Sequence, residues 1–144
     1  MTAGVTSGLA LGLVLLSGCN SGAPAFTEPM TLGGSEVSPE ALNQGRDLYR
    51  VHCVSCHGDA GAGDGPAARN LKFPPADFRA GQFSFVAEGE LPTHEQLTER
   101  IQVGAPERGM PSWKGMRPED LSALANYIKT FSPRWSTPSG KAAS

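Results

Sequence analysis

Cys53, Val54, Ser55, Cys56 and His57 form the stretch of this chain most plainly arranged for chemistry. Two thiols three positions apart, with histidine immediately after, read as a c-type haem attachment site. On a helix, positions i, i+3 and i+4 share one face. Cys53 and Cys56 can then bond the two vinyl groups along one porphyrin edge while His57 reaches the iron. Three other chemistries use paired cysteines. A redox-active CxxC belongs in a βαβ setting, which the flanking sequence does not supply. A structural zinc site needs four ligands, and no second CxxC or HxxxH lies downstream. A plain disulfide leaves the adjacent histidine unexplained.

Iron held by one histidine still has a second axial position, to be filled or left open for chemistry. The downstream candidates are Met110, Met116 and His94. Met110 is followed by Pro111, which stiffens the loop around a weak thioether ligand. A methionine by itself is ordinary core filler. His94 falls in the exposed first turn of a predicted helix, His52 is expected in solvent, and Met30 lies in a polar stretch.

Helices and loops must hold these groups. Ser38-Pro39-Glu40 opens a first helix with an N-cap serine, proline at N1 and an acid in the first turn. Ala41, Leu42, Gly45, Leu48 and Tyr49 recur at helical spacing, and the helix should run into Cys53. Gly45 costs nearly 1 kcal/mol against Ala there, which points to a packing requirement. Gly58 to Pro66 is a glycine-rich loop whose backbone could approach the porphyrin edge closely. A phosphate cradle is disfavoured, because no strand precedes it and no Lys-Ser/Thr comes after it. Leu71, Phe73, Phe78, Phe83, Phe85 and Val86 can wall a pocket. Thr93 and Gln96 form a capping box for a second helix, with Leu97 and Ile101 inward and Gly104 at its end. Pro118-Glu119-Asp120 starts a last helix whose apolar face is Leu121, Leu124, Ala125, Tyr127, Ile128 and Phe131.

The run from Cys53 to Pro66, with Pro74-Pro75-Ala76-Asp77-Phe78, resembles bacterial class I monohaem cytochromes c. The resemblance covers roughly residues 39 to 132. It implies an all-α cytochrome c fold: three main helices plus loops wrapped around one covalently bound haem c. It assigns Cys53 and Cys56 to the thioether bonds and His57 to the iron. Gly109-Met110-Pro111-Ser112-Trp113 is similar to the family's distal Met-Pro motif, which makes Met110 the second axial ligand and sets Trp113 near the haem edge. Such His/Met ligation raises the reduction potential and favours electron transfer over oxygen chemistry. Pro66 matches the family proline whose carbonyl accepts the histidine Nδ1–H, a bond that fixes the tautomer. Gly45, Tyr49 and Tyr127 match the crossing of the first and last helices.

Composition supports a domain built on a cofactor. The chain has 144 residues and only 39% are hydrophobic, with 18 Gly and 12 Pro. Such a chain makes long loops and a thin core, and a large apolar group at its centre would supply the missing buried surface. Net charge is −2, so nothing favours nucleic acid. Glu28 and Glu36 are the acids before residue 39 and all 12 basic residues come after it, leaving 12 acids against 12 bases. Steering by net charge should be modest, with room for a local patch.

The third cysteine, Cys19, has its own setting. Residues 8 to 18 are uncharged and largely apolar, too short to span a bilayer comfortably but suited to an export signal. The n-region, Met1 to Ser7, lacks the Lys or Arg such signals carry. Leu16-Ser17-Gly18-Cys19 resembles the bacterial lipobox, which implies cleavage before Cys19 and lipidation on it. Two or more acyl chains hold a protein to a membrane firmly. Haem attachment in the cytochrome c family takes place outside the cytoplasmic membrane, so both resemblances place the chain on the periplasmic side. The expected organisation is a signal peptide over 1–18, a lipidated cysteine and flexible tether over 19–37, a cytochrome domain over 38–133 and a tail over 134–144. The tether composition suggests a coil with a reach of about 20–25 Å. The expected function is one-electron transfer in a respiratory chain, not catalysis. The alternative is a fixed haem subunit of a larger complex, such as alternative complex III, an oxidase or a dehydrogenase.

Overall fold

The structure, a computed structural model, describes residue 1 and residues 24–136; Cys19 lies outside the described residues. Among the described residues four α-helices succeed one another: α1 (Pro39–His52), α2 (Val54–His57), α3 (His94–Val103) and α4 (Pro118–Lys129). The starts of α1, α3 and α4 obey local chemistry. Ser38 Oγ accepts from the Ala41 amide at 3.3 Å ahead of Pro39. Thr93 and Gln96 close the capping box on α3, and Pro118 occupies the first turn of α4. The all-α expectation is met, with α1, α3 and α4 as the three main helices.

The frame is the crossing of α1 and α4. A Cβ on Gly45 would run into the Ala123 carbonyl and come within 2.8 Å of Tyr127 Cβ. Glycine is therefore required here for backbone to approach backbone. Around the crossing, Tyr49, Tyr127 and Phe131 rings meet at centroid separations of 5.2–5.3 Å. Aromatic pairs at such spacing add roughly 0.5–1.5 kcal/mol each beyond buried area. α3 packs on α4, and Leu97, Ile101, Leu121, Leu124 and Ile128 join the same buried cluster.

Two segments differ from expectation. The end of the supposed tether is a hairpin, β1 (Met30–Leu32) paired antiparallel with β2 (Ser35–Val37), with Leu32 opposite Ser35. Gly33 and Gly34 both take positive φ, which a two-residue hairpin turn of this hand demands. Leu32 is 0% exposed and Val37 6%, so the hairpin contributes to the core. Ahead of it, Phe26 exchanges two hydrogen bonds with the Asn43 side chain, both 2.9 Å, and its ring meets Tyr127 edge-on. The first residues of the supposed tail, 134–136, also fold back. Pro133–Trp135 is a 3₁₀ turn, Trp135 is 3% exposed against Phe83, and its carbonyl accepts from Gly33 N–H at 2.8 Å. Enough apolar surface lies in Phe26, Leu32, Val37 and Trp135 to dock these two segments, and burial outweighs a coil-like composition. The folded unit therefore begins before residue 38 and extends past 133.

A cytochrome c site between α2, α3 and the Met110 loop

α1 ends at His52, and Cys53 sits at the break with φ −120° and ψ −31°. α2 resumes at Val54, with the Cys56 and His57 amides both bonded to the Cys53 carbonyl. One short turn thus carries both thiols and the imidazole. A cavity of about 370 Å³ opens beside it, within the range of cofactor pockets. Cys53, Cys56, His57, Met110 and Trp113 all line it. Leu71, Phe78, Phe83 and Phe85 supply apolar wall as expected. Phe73 and Val86 do not line it.

His57 is fixed from two sides. Its ring stacks on buried Phe78 at 4.4 Å and 16°. Its Nδ1 lies 3.3 Å from the Ala76 carbonyl. A carbonyl only accepts, so Nδ1 carries the proton and Nε2 keeps its lone pair. Burial lowers the His57 pKa, against a smaller upward pull from Ala76, and the neutral imidazole is the form that binds metal. The partner is not Pro66. The Pro66 carbonyl accepts from Arg69 Nε at 3.1 Å. The loop folds so that Pro74-Pro75-Ala76, and not the Gly65-Pro66 pair, passes over the imidazole; Pro66 is also absent from the cavity wall.

The glycine loop has a different task from the one its composition suggested. A Cβ on Gly65 would strike the Val54 and Ser55 backbone, and one on Gly61 would lie 2.8 Å from the Phe131 ring. These glycines let the loop close on α2 and on Phe131, so the close approach is to protein and not to a porphyrin edge. The Ala67 amide then bonds the Ser55 carbonyl at 2.8 Å.

Met110 is held by the end of α3. The Ala105 and Met110 backbones exchange two hydrogen bonds, 3.0 and 3.1 Å. Ser112 Oγ and the Trp113 amide both donate to the Gln102 carbonyl, at 2.9 and 3.0 Å. Gly104, with φ +73°, sits where a Cβ would meet the Pro111 carbonyl. Four bonds thus pin the loop that presents the thioether. Met116 packs on the core without lining the cavity. His94 turns away, its Nε2 2.9 Å from Ser122 Oγ and its Nδ1 3.1 Å from Lys129 Nζ.

The donor set fits a covalently held haem: two thiols, a neutral imidazole and a thioether around one apolar cavity. Cys53 and Cys56 are both free thiols. Burial, and then the proximity of Cys56, pushes the Cys53 thiol up to about 12. A catalytic redox pair depends on the opposite shift, toward thiolate. His52 and Arg100 also face the cavity, which the sequence did not suggest. His52 rests against Trp113 at 4.7 Å, and the Arg100 guanidinium lies 4.7 Å over the Phe85 ring. Helical periodicity could have found Arg100, one turn after Leu97 and beside Ile101.

Comparison with known families agrees. A family model described as cytochrome c oxidase, cbb3-type, subunit III matches residues 40–128. The chain belongs to that family. It is a c-type cytochrome, with a covalently attached haem c and electron transfer as its role. This cytochrome is 29% identical over 109 residues to 1-butanol dehydrogenase (cytochrome c) of Thauera butanivorans, matching 73% of the chain but only 14% of that protein's length. Among solved structures it is similar to a chain of the Kuenenia stuttgartiensis reducing HAO-like protein complex, at TM-score 0.59 and 32% identity. That match covers 62% of this cytochrome and 42% of the other chain.

Proposed function

We propose that this cytochrome is a membrane-anchored one-electron carrier of a respiratory chain, with its haem held between His57 and Met110. One observation carries the ligation. Of the three candidates for the second axial position, only Met110 lines the cavity that His57 and both cysteines line. Haem c, once attached, supplies a metal that gains and loses one electron with no bond made to a substrate. The protein holds the ligands still: the Ala76 carbonyl and Phe78 orient the imidazole, and the α3 end holds Met110. The apolar wall keeps water back, and Arg100 adds a positive charge beside it.

Met110→His tests this reading by potentiometric titration. Exchange of thioether for imidazole keeps two axial ligands but should lower the midpoint potential markedly. An unchanged potential would place the second ligand elsewhere.

The anchor is read from the Leu16-Ser17-Gly18-Cys19 lipobox, and it puts the domain on the periplasmic side. The folded segment begins at about Phe26, so little chain remains for a tether. From Cys19 to Pro24 the backbone can span at most about 18 Å. Metabolic labelling with a radioactive fatty acid should mark the wild type and leave Cys19→Ala unlabelled and released by high salt. Labelling that survives in Cys19→Ala would remove the lipobox assignment.

The short tether also supports a second reading, a haem subunit fixed within a larger respiratory assembly. The matched relatives carry a similar domain as a fraction of a longer dehydrogenase or of a chain in a multi-protein complex. Extraction in mild detergent separates the two: a shuttle purifies alone, and a subunit brings stoichiometric partners.

A further inference from the structure

We propose that Arg134 is a positioning residue for the haem site: its guanidinium closes the loop 81–89 and holds that loop as a wall of the cavity. The assignment rests on the electron-transfer reading, because it needs a haem behind the wall. Gln82, Phe83, Ser84 and Phe85, four successive residues of the loop, line the cavity. Yet among the described residues 82–90 make backbone–backbone hydrogen bonds only within themselves. These run from Val86 N–H to the Phe83 carbonyl at 3.4 Å and from Glu90 N–H to the Ala87 carbonyl at 3.1 Å. A segment without a ladder must offset its ordering entropy through side chains.

Arg134 supplies that support from outside the loop. Its Nη1 donates to the Gly81 carbonyl and its Nη2 to the Gly89 carbonyl. A planar guanidinium presents its donors in a fixed fork, so one side chain joins both ends of the loop; an ammonium is a point donor. Between those ends Phe83 is buried and meets Trp135, the next residue after Arg134, edge-on at 5.5 Å. Buried Ser132 seats the turn by accepting the Arg134 amide at 3.4 Å. Phe83 in turn stacks on Phe78 at 6.0 Å, and Phe78 on the His57 ring. Ring contacts therefore run from the clasp to the axial histidine. Arg134 lies beyond residues 40–128, so the clasp is not part of the segment that the family model matches.

An apolar wall keeps water from the metal, and water admitted there favours the more highly charged, oxidised state. Loosening the loop should therefore lower the midpoint potential. The test compares Arg134→Gln and Arg134→Lys with the wild type in the full haem-loaded chain, by hydrogen exchange of peptides from 82–90 and by potentiometric titration. Both variants should exchange about tenfold faster there and show a lower potential, with the optical signature of the axial ligands unchanged. Lysine keeps the charge and loses the fork, so it separates the clasp from a simple charge effect. Arg117→Gln removes an exposed charge elsewhere and should change neither reading. Arg134→Lys with wild-type exchange and potential overturns the clasp, whatever Arg134→Gln shows. Faster exchange or a lower Tm with an unchanged potential overturns the positioning role and leaves a structural bond. A wild type without a reversible one-electron couple would instead overturn the electron-transfer reading, and exchange would still decide the clasp.

Discussion

The hydroxyl of Tyr49 donates to the Gly58 carbonyl at 2.7 Å, just where the chain leaves α2. Burial, and then neighbouring negative charge, keeps that phenol protonated. Tyr49→Phe would leave the Gly58 carbonyl only its longer bond from the Gly61 amide, 3.2 Å, a loss of about 0.5–1.5 kcal/mol. Thermal unfolding of the ferric protein should show it as a lower Tm; an unchanged Tm would mean that water replaces the donor. At this scale the sequence was legible wherever chemistry depends on side-chain type. Cys53, Cys56, His57 and Met110 stand out by type, and all four line one cavity. The partner of His57 Nδ1 was not legible, because every residue carries the same carbonyl. Only the path of the loop selects Ala76 over Pro66.

The crossing of α1 on α4 sets the distance between the CxxCH turn and the rest of the core. Gly45→Ala would gain about 1 kcal/mol in helix propensity. It would also press a methyl against the α4 backbone at Ala123, where overpacking costs about 1–3 kcal/mol. Backbone cannot swing aside as a side-chain tip can, so the net effect is destabilising and Tm should fall. A rise in Tm would show that the crossing relaxes. Trp135→Ala should cost about 3–5 kcal/mol, measured by denaturant midpoint, since the indole is buried against Phe83. A free tail would give no change. Helix starts were legible because caps and prolines act locally. The hairpin was not, because three-residue strands are too short for an alternation to register. Gly33-Gly34 was the available signal, and it was lost in a segment dominated by small and polar residues. The burial of Trp135 was hidden by Pro133, which marks the end of a helix but not where the chain turns next.

Across the whole molecule, α3 and α4 are joined by a charged contact that makes stability depend on pH. Lys129 is 4% exposed, and its ammonium donates to His94 Nδ1 while Nε2–H donates to Ser122 Oγ. Burial, and then the Lys129 charge, lowers the His94 pKa below its ordinary 6.5. Below that value the unfolded chain takes up a proton that the folded chain refuses. The unfolded state then binds more protons, and stability falls as pH drops from 7 toward 5. His94→Asn should flatten that part of the Tm profile. A variant profile as steep as the wild type would assign the dependence to other groups. The overall architecture was legible from helix spacing and the haem motifs together, since the cavity needs three helices to close it. The ends of the folded unit were legible only as buried surface.

The most direct test of the haem site is the optical spectrum of the oxidised protein. An iron bound by His57 and Met110 gives a sulfur-to-iron charge-transfer band in the wild type and in Met116→Ala, and loses it in Met110→Ala. A wild type without the band that binds carbon monoxide rapidly, or a Met110→Ala that keeps the band, would contradict the assignment of Met110 and with it the case for a closed, electron-carrying iron.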